Sequence, residues 1–394
     1  MSTAIYTLTS ALHDEQAVRT ITREFLESIG IQYEYKGNNF TDYGTHALDL
    51  IHVCTGGTEG IFKSLLPDLR KKSKRPIYLL TSGKSNSLAA SMEILSFLRQ
   101  NDLKGEIIHG SADYINKRVH LLKKIEEAYK QLYGCRLGII GEPSDWLISS
   151  QANEEKIKDV LGVNLIKISI QELIETIKTT PLIMPEESVP NATISQALPG
   201  ANQIYMALKT IIKKYQLHGF TLRCFDLLTS IHNTGCLALA KLNAEGIVAG
   251  CEGDVPAMLS MIIAQTLIGV SGFQANPANI NPETGEILFA HCTIPLNMVD
   301  HYEFDTHFES GIGIGIRGYM KEGPVTIFKV SGDLSRRFIE EGMLIEKQTK
   351  PNLCRTQQVI LLSDKSKATY FLSDPIGNHH IILPGHHKEL LSHL

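Results

Sequence analysis

Three short stretches carry residue types that could bind a cation and move protons. The first is Gly250-Cys251-Glu252-Gly253-Asp254, two carboxylates at the end of the apolar run Gly246-Ile247-Val248-Ala249. The second is Ala290-His291-Cys292, at the end of the strand-like Ile287–Ala290. The third is Gly377-Asn378-His379-His380, near the C-terminus. Carboxylate and imidazole donors drawn from separate segments suit a divalent transition metal such as Mn²⁺ or Co²⁺ that keeps open positions for substrate. Acids at a helix start are often only solvated there, favoured by the helix dipole. Here the flanks are apolar on both sides, and the segment Val255–Ile268 that follows is apolar and helix-like. A buried acid needs a partner. His291 and His379-His380 are candidates, while His386-His387 reads as the start of a last helix.

Other motifs are weaker. Gly313-Ile314-Gly315-Ile316-Arg317-Gly318 matches a dinucleotide pattern, but its alternation has period two, with no strand before it and no helix after it. A tightly packed glycine-rich strand accounts for it better. Thr81-Ser82-Gly83-Lys84-Ser85 is a fragment of a phosphate loop without its first glycine. It leads into a helix that begins near Asn86, where free N–H groups favour anions or sugar oxygens.

The elements that must position these residues follow from periodicity. The first part alternates strand and helix patterns, which predicts a parallel α/β sheet. Strands are expected at Ala4–Thr9, Ile31–Tyr35, Leu48–Val53, Ile77–Leu80 and Gly105–Ile108, with helices at Asp14–Ile29, Gly60–Leu69 and Asn86–Gln100. A long helix, Ala112–Tyr133, leads to a second α/β unit that begins at Arg136–Ile140. Thr179–Gly200 is rich in proline and polar residues and reads as a surface loop, followed by a helix at Ala201–Tyr215. From about residue 295 short strands and turns dominate. The expected fold is α/β: two Rossmann-like parallel α/β domains, 1–135 and 136–294, then a small β-rich C-terminal domain, 295–394.

Composition excludes some partners. The formal charge of -4 over 394 residues leaves no basic footprint for nucleic acid, and the run Arg70–Arg75 reads as solvated surface. No segment reaches the roughly 18–20 apolar residues of a membrane span; Val255–Val270, the longest apolar one, contains Ser260 and Gln265. Seven cysteines, an odd number with no Cys-x-x-Cys pair, point to reduced and mostly buried thiols. With an N-terminus, Met1–Leu8, that alternates like a strand and lacks a basic and apolar leader, a cytoplasmic protein is expected.

With these residues in view, the chain resembles the L-fucose isomerase and L-arabinose isomerase superfamily, in its fucose isomerase-like branch. The resemblance lies in Thr234-Gly235-Cys236-Leu237-Ala238, Ala249–Asp254, Gln274-Ala275-Asn276-Pro277, Ala290–Thr293, Thr306–Gly311 and Gly377–His380. It covers residues 220–380 in motif and the rest in α/β layout. It implies an aldose–ketose isomerase that holds Mn²⁺ or a similar ion and works through a cis-enediol. Glu252 then ligates the metal and shuttles a proton, and His291 and His379 ligate. Asn86, Arg223 and Asn378 hold the sugar. The family's second acidic ligand falls at Gln274–Pro277, where this chain offers only Asn276, whose amide oxygen can ligate but cannot act as a base. Asp254 is the candidate to share proton transfer. Arg223 suits a terminal sulfonate or phosphate, as in a sulfosugar isomerase, or is held by Asp226 or Asp254. The resemblance also implies a homo-oligomer, hexamer or trimer, with sites completed by a neighbouring N-terminal domain. A non-catalytic sugar-binding relative and a metal-dependent epimerase or aldolase are the alternatives.

Overall fold

The computed structural model describes residues 2–184 and 191–393. The chain divides into two compact units, residues 1–130 and 131–394.

In the first unit β1 (Thr3–Leu8), α1 (Glu15–Ser28), β2 (Tyr33–Gly37), β3 (Leu48–Val53), α2 (Glu59–Lys72), β4 (Ile77–Leu80), α3 (Ser87–Gln100) and β5 (Gly105–Ile108) alternate before α4 (Ala112–Leu132) leads out. The sheet is parallel throughout, in the order β2-β1-β3-β4-β5. β1 is buried along its whole length, as a central strand of a parallel sheet is, although Thr3 and Thr7 make its sequence alternate. Asp14 caps α1 by accepting from the Ala17 amide. Arg75, expected in solvent, is instead paired with the buried Glu126 at 2.8 Å.

The second unit opens with another parallel sheet. β6 (Arg136–Ile140), α5 (Glu154–Leu161), β7 (Asn164–Ile168), α6 (Ile170–Thr179), α7 (Ala192–Tyr215), β8 (Gly219–Leu222), α8 (Asp226–Ser230), α9 (Cys236–Ala244) and β9 (Val248–Cys251) follow one another. The strand order is β7-β6-β8-β9. The order reverses between β6 and β8, the kind of switch point beside which ligands bind at the carboxyl ends of strands. The loop expected over Thr179–Gly200 is a helix from Ala192 onward. Asn191 caps it by accepting from the Ile194 amide, and Pro199 is buried inside it. Residues 185–190 of that expected loop lie outside the described residues.

α10 (Val255–Ile268) leads on to β10 (Phe273–Asn281), β11 (Glu286–His291), β12 (His301–Asp305), β13 (Gly315–Tyr319), β14 (Gly323–Val330), β15 (Arg337–Lys347), β16 (Thr356–Leu362), α11 (Tyr370–Ser373), β17 (His380–Pro384) and α12 (Lys388–Leu391). Six strands close an antiparallel barrel, β10-β11-β16-β15-β14-β17, and β12 and β13 form a separate ladder. The barrel thus takes in strands from either side of residue 295. α10 packs against β8 and β9 of the sheet and against β14 and β17 of the barrel. A helix covered on both sides must be apolar all round. Its Ser260 hydroxyl donates to Pro256 O and accepts from the Val330 amide, so its polarity is spent internally. Among the described residues no helix is long and apolar enough to cross a membrane. The glycine-rich stretch ends in β13, where a Cβ on Gly318 would come within 2.6 Å of Ile294. All seven cysteines are free thiols.

Candidate metal centre

Three side chains from three segments meet at the carboxyl end of the second sheet. Glu252 follows β9 in a left-handed conformation, φ 63°, and Gly253 continues it at φ 70°. A non-glycine residue held there is strained, and such strain persists only where the surroundings enforce it. They do so here. The Glu252 carbonyl accepts from the Ser144 amide at 2.9 Å, and the Gly253 amide donates to Leu222 O at 3.0 Å. A Cβ at Gly253 would sit 2.6 Å from Glu142 O, so this turn needs glycine. His291 ends β11 and His379 precedes β17. His291 Nε2 and His379 Nε2 lie 3.6 and 3.5 Å from Glu252 Oε1. One ligand atom from each of the three lies within 4.8 Å of the others.

The donors fit a divalent cation. His379 Nε2 is buried and has no hydrogen-bond partner among the described residues, a costly state for a polar atom unless something binds it. The other nitrogen of each imidazole is occupied. His291 Nδ1 pairs with Thr293 Oγ1 at 2.9 Å, and His379 Nδ1 with Asp254 Oδ2 at 2.8 Å. Both partners orient their rings for a metal, and the Asp254 carboxylate, which can only accept, keeps a proton on Nδ1 of His379. One carboxylate and two imidazoles suit a first-row ion.

Asp254 is 0% exposed and lies behind His379, on the side of the ring away from Glu252. Its Oδ1 accepts from the Ala257 amide at 2.8 Å, which makes it the N-cap of α10. Its Oδ2 is also 3.5 Å from Lys329 Nζ, on β14, itself 1% exposed. Burial opposes the charge on Asp254, but Lys329 and His379 together bring its carboxyl down to about 2. Burial likewise disfavours charge on Glu252, yet the two imidazoles, His379 foremost, hold it well below the usual carboxylate range. His379 is lifted to about 9: burial works against its charge, but Glu252 and the bond to Asp254 outweigh it.

The remaining residues nominated from sequence have other partners or stand in solvent. Asn276, half-buried on β10, sits opposite Ala290 in the ladder, and its Oδ1 accepts from Asn378 Nδ2 at 3.0 Å. Asn378 is exposed. Arg223, at the end of β8, pairs with Asp226 at 3.1 Å and Asp145 at 3.3 Å and donates to Pro143 O. Asn86 belongs to the first unit, where it stands exposed before α3 at φ 58°. Of the tandem histidines only His379 faces the centre. His380 Nε2 pairs with the Tyr370 hydroxyl and its Nδ1 with Asn378 O.

Sequence reasoning passed over four neighbours. Trp146 Nε1 donates to Glu252 Oε2 at 2.6 Å, from the turn after β6. Lys329 looks like a strand-end lysine. His307 is buried and stacks edgewise on Phe225. Glu309, in the same loop, has its carboxyl pushed up by partial burial and by repulsion from Glu252. Trp146 offered a signal as the chain's single tryptophan, in a polar turn after a strand, and His307 and Glu309 lie in the motif Thr306–Gly311 without having been given a role.

Among known proteins, no family model matches the chain. It is similar to the sulfoquinovose isomerases of Priestia aryabhattai and Priestia megaterium, 25% identical over 305 residues, which is 73% of this chain and 68% of each relative. The sulfoquinovose isomerase of Alkalicoccus urumqiensis is 23% identical over 261 residues, 62% of this chain and 59% of that protein. These likenesses support a relationship to sugar isomerases.

Proposed function

We propose that this chain is a metal-dependent aldose–ketose isomerase whose substrate is a sulfonated sugar. The observation that carries the reading is the convergence of Glu252, His291 and His379 around a buried imidazole nitrogen that has no hydrogen-bond partner among the described residues. The likeness to sulfoquinovose isomerases supports the reaction and the substrate class.

A divalent ion such as Mn²⁺ or Co²⁺, held by these three residues, would polarise the oxygens on C1 and C2 of the sugar. The protein's own groups do the rest. The Asp254 carboxylate can only accept from Nδ1 of His379, which leaves its Nε2 to face the centre, and Thr293 holds the His291 ring in place. A base removes the C2 proton of the aldose, and the electron pair moves through C1 to O1, leaving an enediol once O1 is protonated. Loss of the O2 proton and return of a proton to C1 then leave the carbonyl at C2. No atom is gained or lost. Glu252 is the carboxylate at the centre and serves this transfer as base and then acid. Asp254 has both oxygens engaged behind His379, so its part is to orient His379. Glu309, whose carboxyl is pushed up by partial burial and by the Glu252 charge, is the further carboxyl that could carry the proton between the oxygens.

Arg223 is the group offered to the sulfonate. Its pair with Asp145 is a weak surface contact, because that carboxylate is 84% exposed. An incoming sulfonate can replace Asp145 while Asp226 keeps the guanidinium in place. Sulfoquinovose incubated with the Mn²⁺-loaded protein tests the reading. Ketose formation that stops on chelation supports it, and no ketose from sulfoquinovose or from a panel of plain and phosphorylated sugars overturns it.

A further inference from the structure

The turn after β6 presents the chain's only tryptophan to this centre. Trp146 is 52% exposed, although its indole N–H is committed to Glu252 Oε2 at 2.6 Å. The turn is held from several sides. The Ser144 amide donates to Glu252 O, the Leu147 amide to Ser144 O, and Arg223 to Pro143 O. The indole and Phe225 pack edge to face, centroids 4.8 Å apart, and Phe225 packs on His307 at 5.5 Å. Three rings therefore run from Glu252 to the loop that carries Glu309.

This arrangement has two chemical consequences. The N–H occupies Oε2, so Oε1 is the oxygen left facing both imidazoles. A hydrogen bond to an ionised group is among the stronger ones, and it fixes a carboxylate that would otherwise rotate. The indole also leaves part of a large apolar surface in solvent beside a centre built for a polar ligand. Sugars have C–H-rich faces whose hydrogens carry partial positive charge, and an aromatic face is negative. The two surfaces are complementary.

We propose that Trp146 is the positioning residue for Glu252 and the platform on which the C–H face of the sugar lies. The inference rests on the isomerase reading and adds a specific residue to it. Its test uses the fact that all tryptophan fluorescence comes from this one side chain. Metal-free protein is titrated with MnCl₂ and then with sulfoquinovose, with Mn²⁺ binding followed separately by equilibrium dialysis. Paramagnetic Mn²⁺ at Glu252 should quench the emission saturably, and the sugar should shift it further. Trp146→Phe keeps a ring and loses the N–H. It should lower kcat and Mn²⁺ affinity about tenfold or more, the loss expected for a hydrogen bond to a charged group, with KM within about threefold of wild type. Trp146→Leu loses the ring as well and should raise KM about tenfold, roughly the effect of one lost contact of 1.4 kcal/mol.

Emission that ignores Mn²⁺ which dialysis finds bound would overturn the proposal, as would wild-type kcat and Mn²⁺ affinity in Trp146→Phe. An unchanged KM in a folded Trp146→Leu would remove the platform; should that variant not fold, the sugar-induced shift in the wild-type emission decides the point. Absence of both Mn²⁺ binding and turnover in the wild-type protein instead overturns the isomerase reading, and this inference with it. Binding and turnover with a silent Trp146 overturn this inference alone.

Discussion

Replacing Asp254 with asparagine separates a buried relay from a plain helix cap. Aspartate has two oxygens here and uses both: Oδ1 for the Ala257 amide, Oδ2 for His379 Nδ1 with Lys329 nearby. Asparagine has one oxygen. If it keeps the cap, its NH₂ group faces His379 and forces Nδ1 to accept. The ring proton then sits on Nε2, the atom that faces Glu252 Oε1. Loss of such an outer partner costs about 10- to 100-fold in metal affinity. Lys329, 1% exposed, also loses its counter-charge; breaking a buried pair from one side costs about 3–5 kcal/mol, less whatever Lys329 recovers by releasing its proton. A cap alone predicts almost nothing, since asparagine caps as well as aspartate. The assays are Mn²⁺ affinity by equilibrium dialysis and urea unfolding of the metal-free protein at pH 7. Asp254→Asn is expected to bind Mn²⁺ at least tenfold more weakly and to lose about 3 kcal/mol. Wild-type values in both would refute the relay.

Glu252→Gln and His379→Ala should each leave the purified protein depleted of transition metal by elemental analysis; full metal content in both would remove the centre. His52, in the first unit, is 1% exposed and burial lowers it to about 4. Its folded value lies below the roughly 6.5 of the unfolded chain, so the unfolded state binds more protons between the two. Stability is therefore full above pH 6.5 and falls as the pH drops toward 4, by about 2 kcal/mol at pH 5. His52→Gln should flatten that slope in urea midpoints by this amount, and an unchanged slope would refute the assignment. A homo-oligomer, hexamer or trimer, is expected by light scattering, against a monomer of 43.7 kDa that retains full activity.

Glu252 and His291 were legible because each ends a strand-like run, where chemistry gathers in α/β sheets; His379 was legible as an imidazole in the motif Gly377–His380. The direction each side chain takes was not. Glu252 and Asp254 are two residues apart, yet the left-handed turn through Glu252 and Gly253 sends them to opposite sides of one imidazole. Spacing alone made Asp254 a proton carrier beside Glu252. Lys329 gives no sign of burial in Phe328-Lys329-Val330, because its partner Asp254 is distant in sequence. Pro199 and the polar residues before it read as loop. The helix runs through them because Asn191 caps it and Ile194, Leu198 and Ala201 are buried in the core. The parallel sheets were read from alternation. Barrel closure was not, since strand patterns carry no information about which edges pair.

The central claim is that Glu252, His291 and His379 hold a divalent ion that the sugar reaction requires. Product analysis by NMR of sulfoquinovose incubated with the Mn²⁺-loaded protein tests it directly, with chelated protein and Glu252→Gln run alongside. The account predicts growth of ketose to equilibrium with the loaded wild type, loss of conversion on chelation, recovery on adding Mn²⁺ back, and no conversion by the variant. Ketose formed at the same rate after chelation, or by Glu252→Gln, would contradict it.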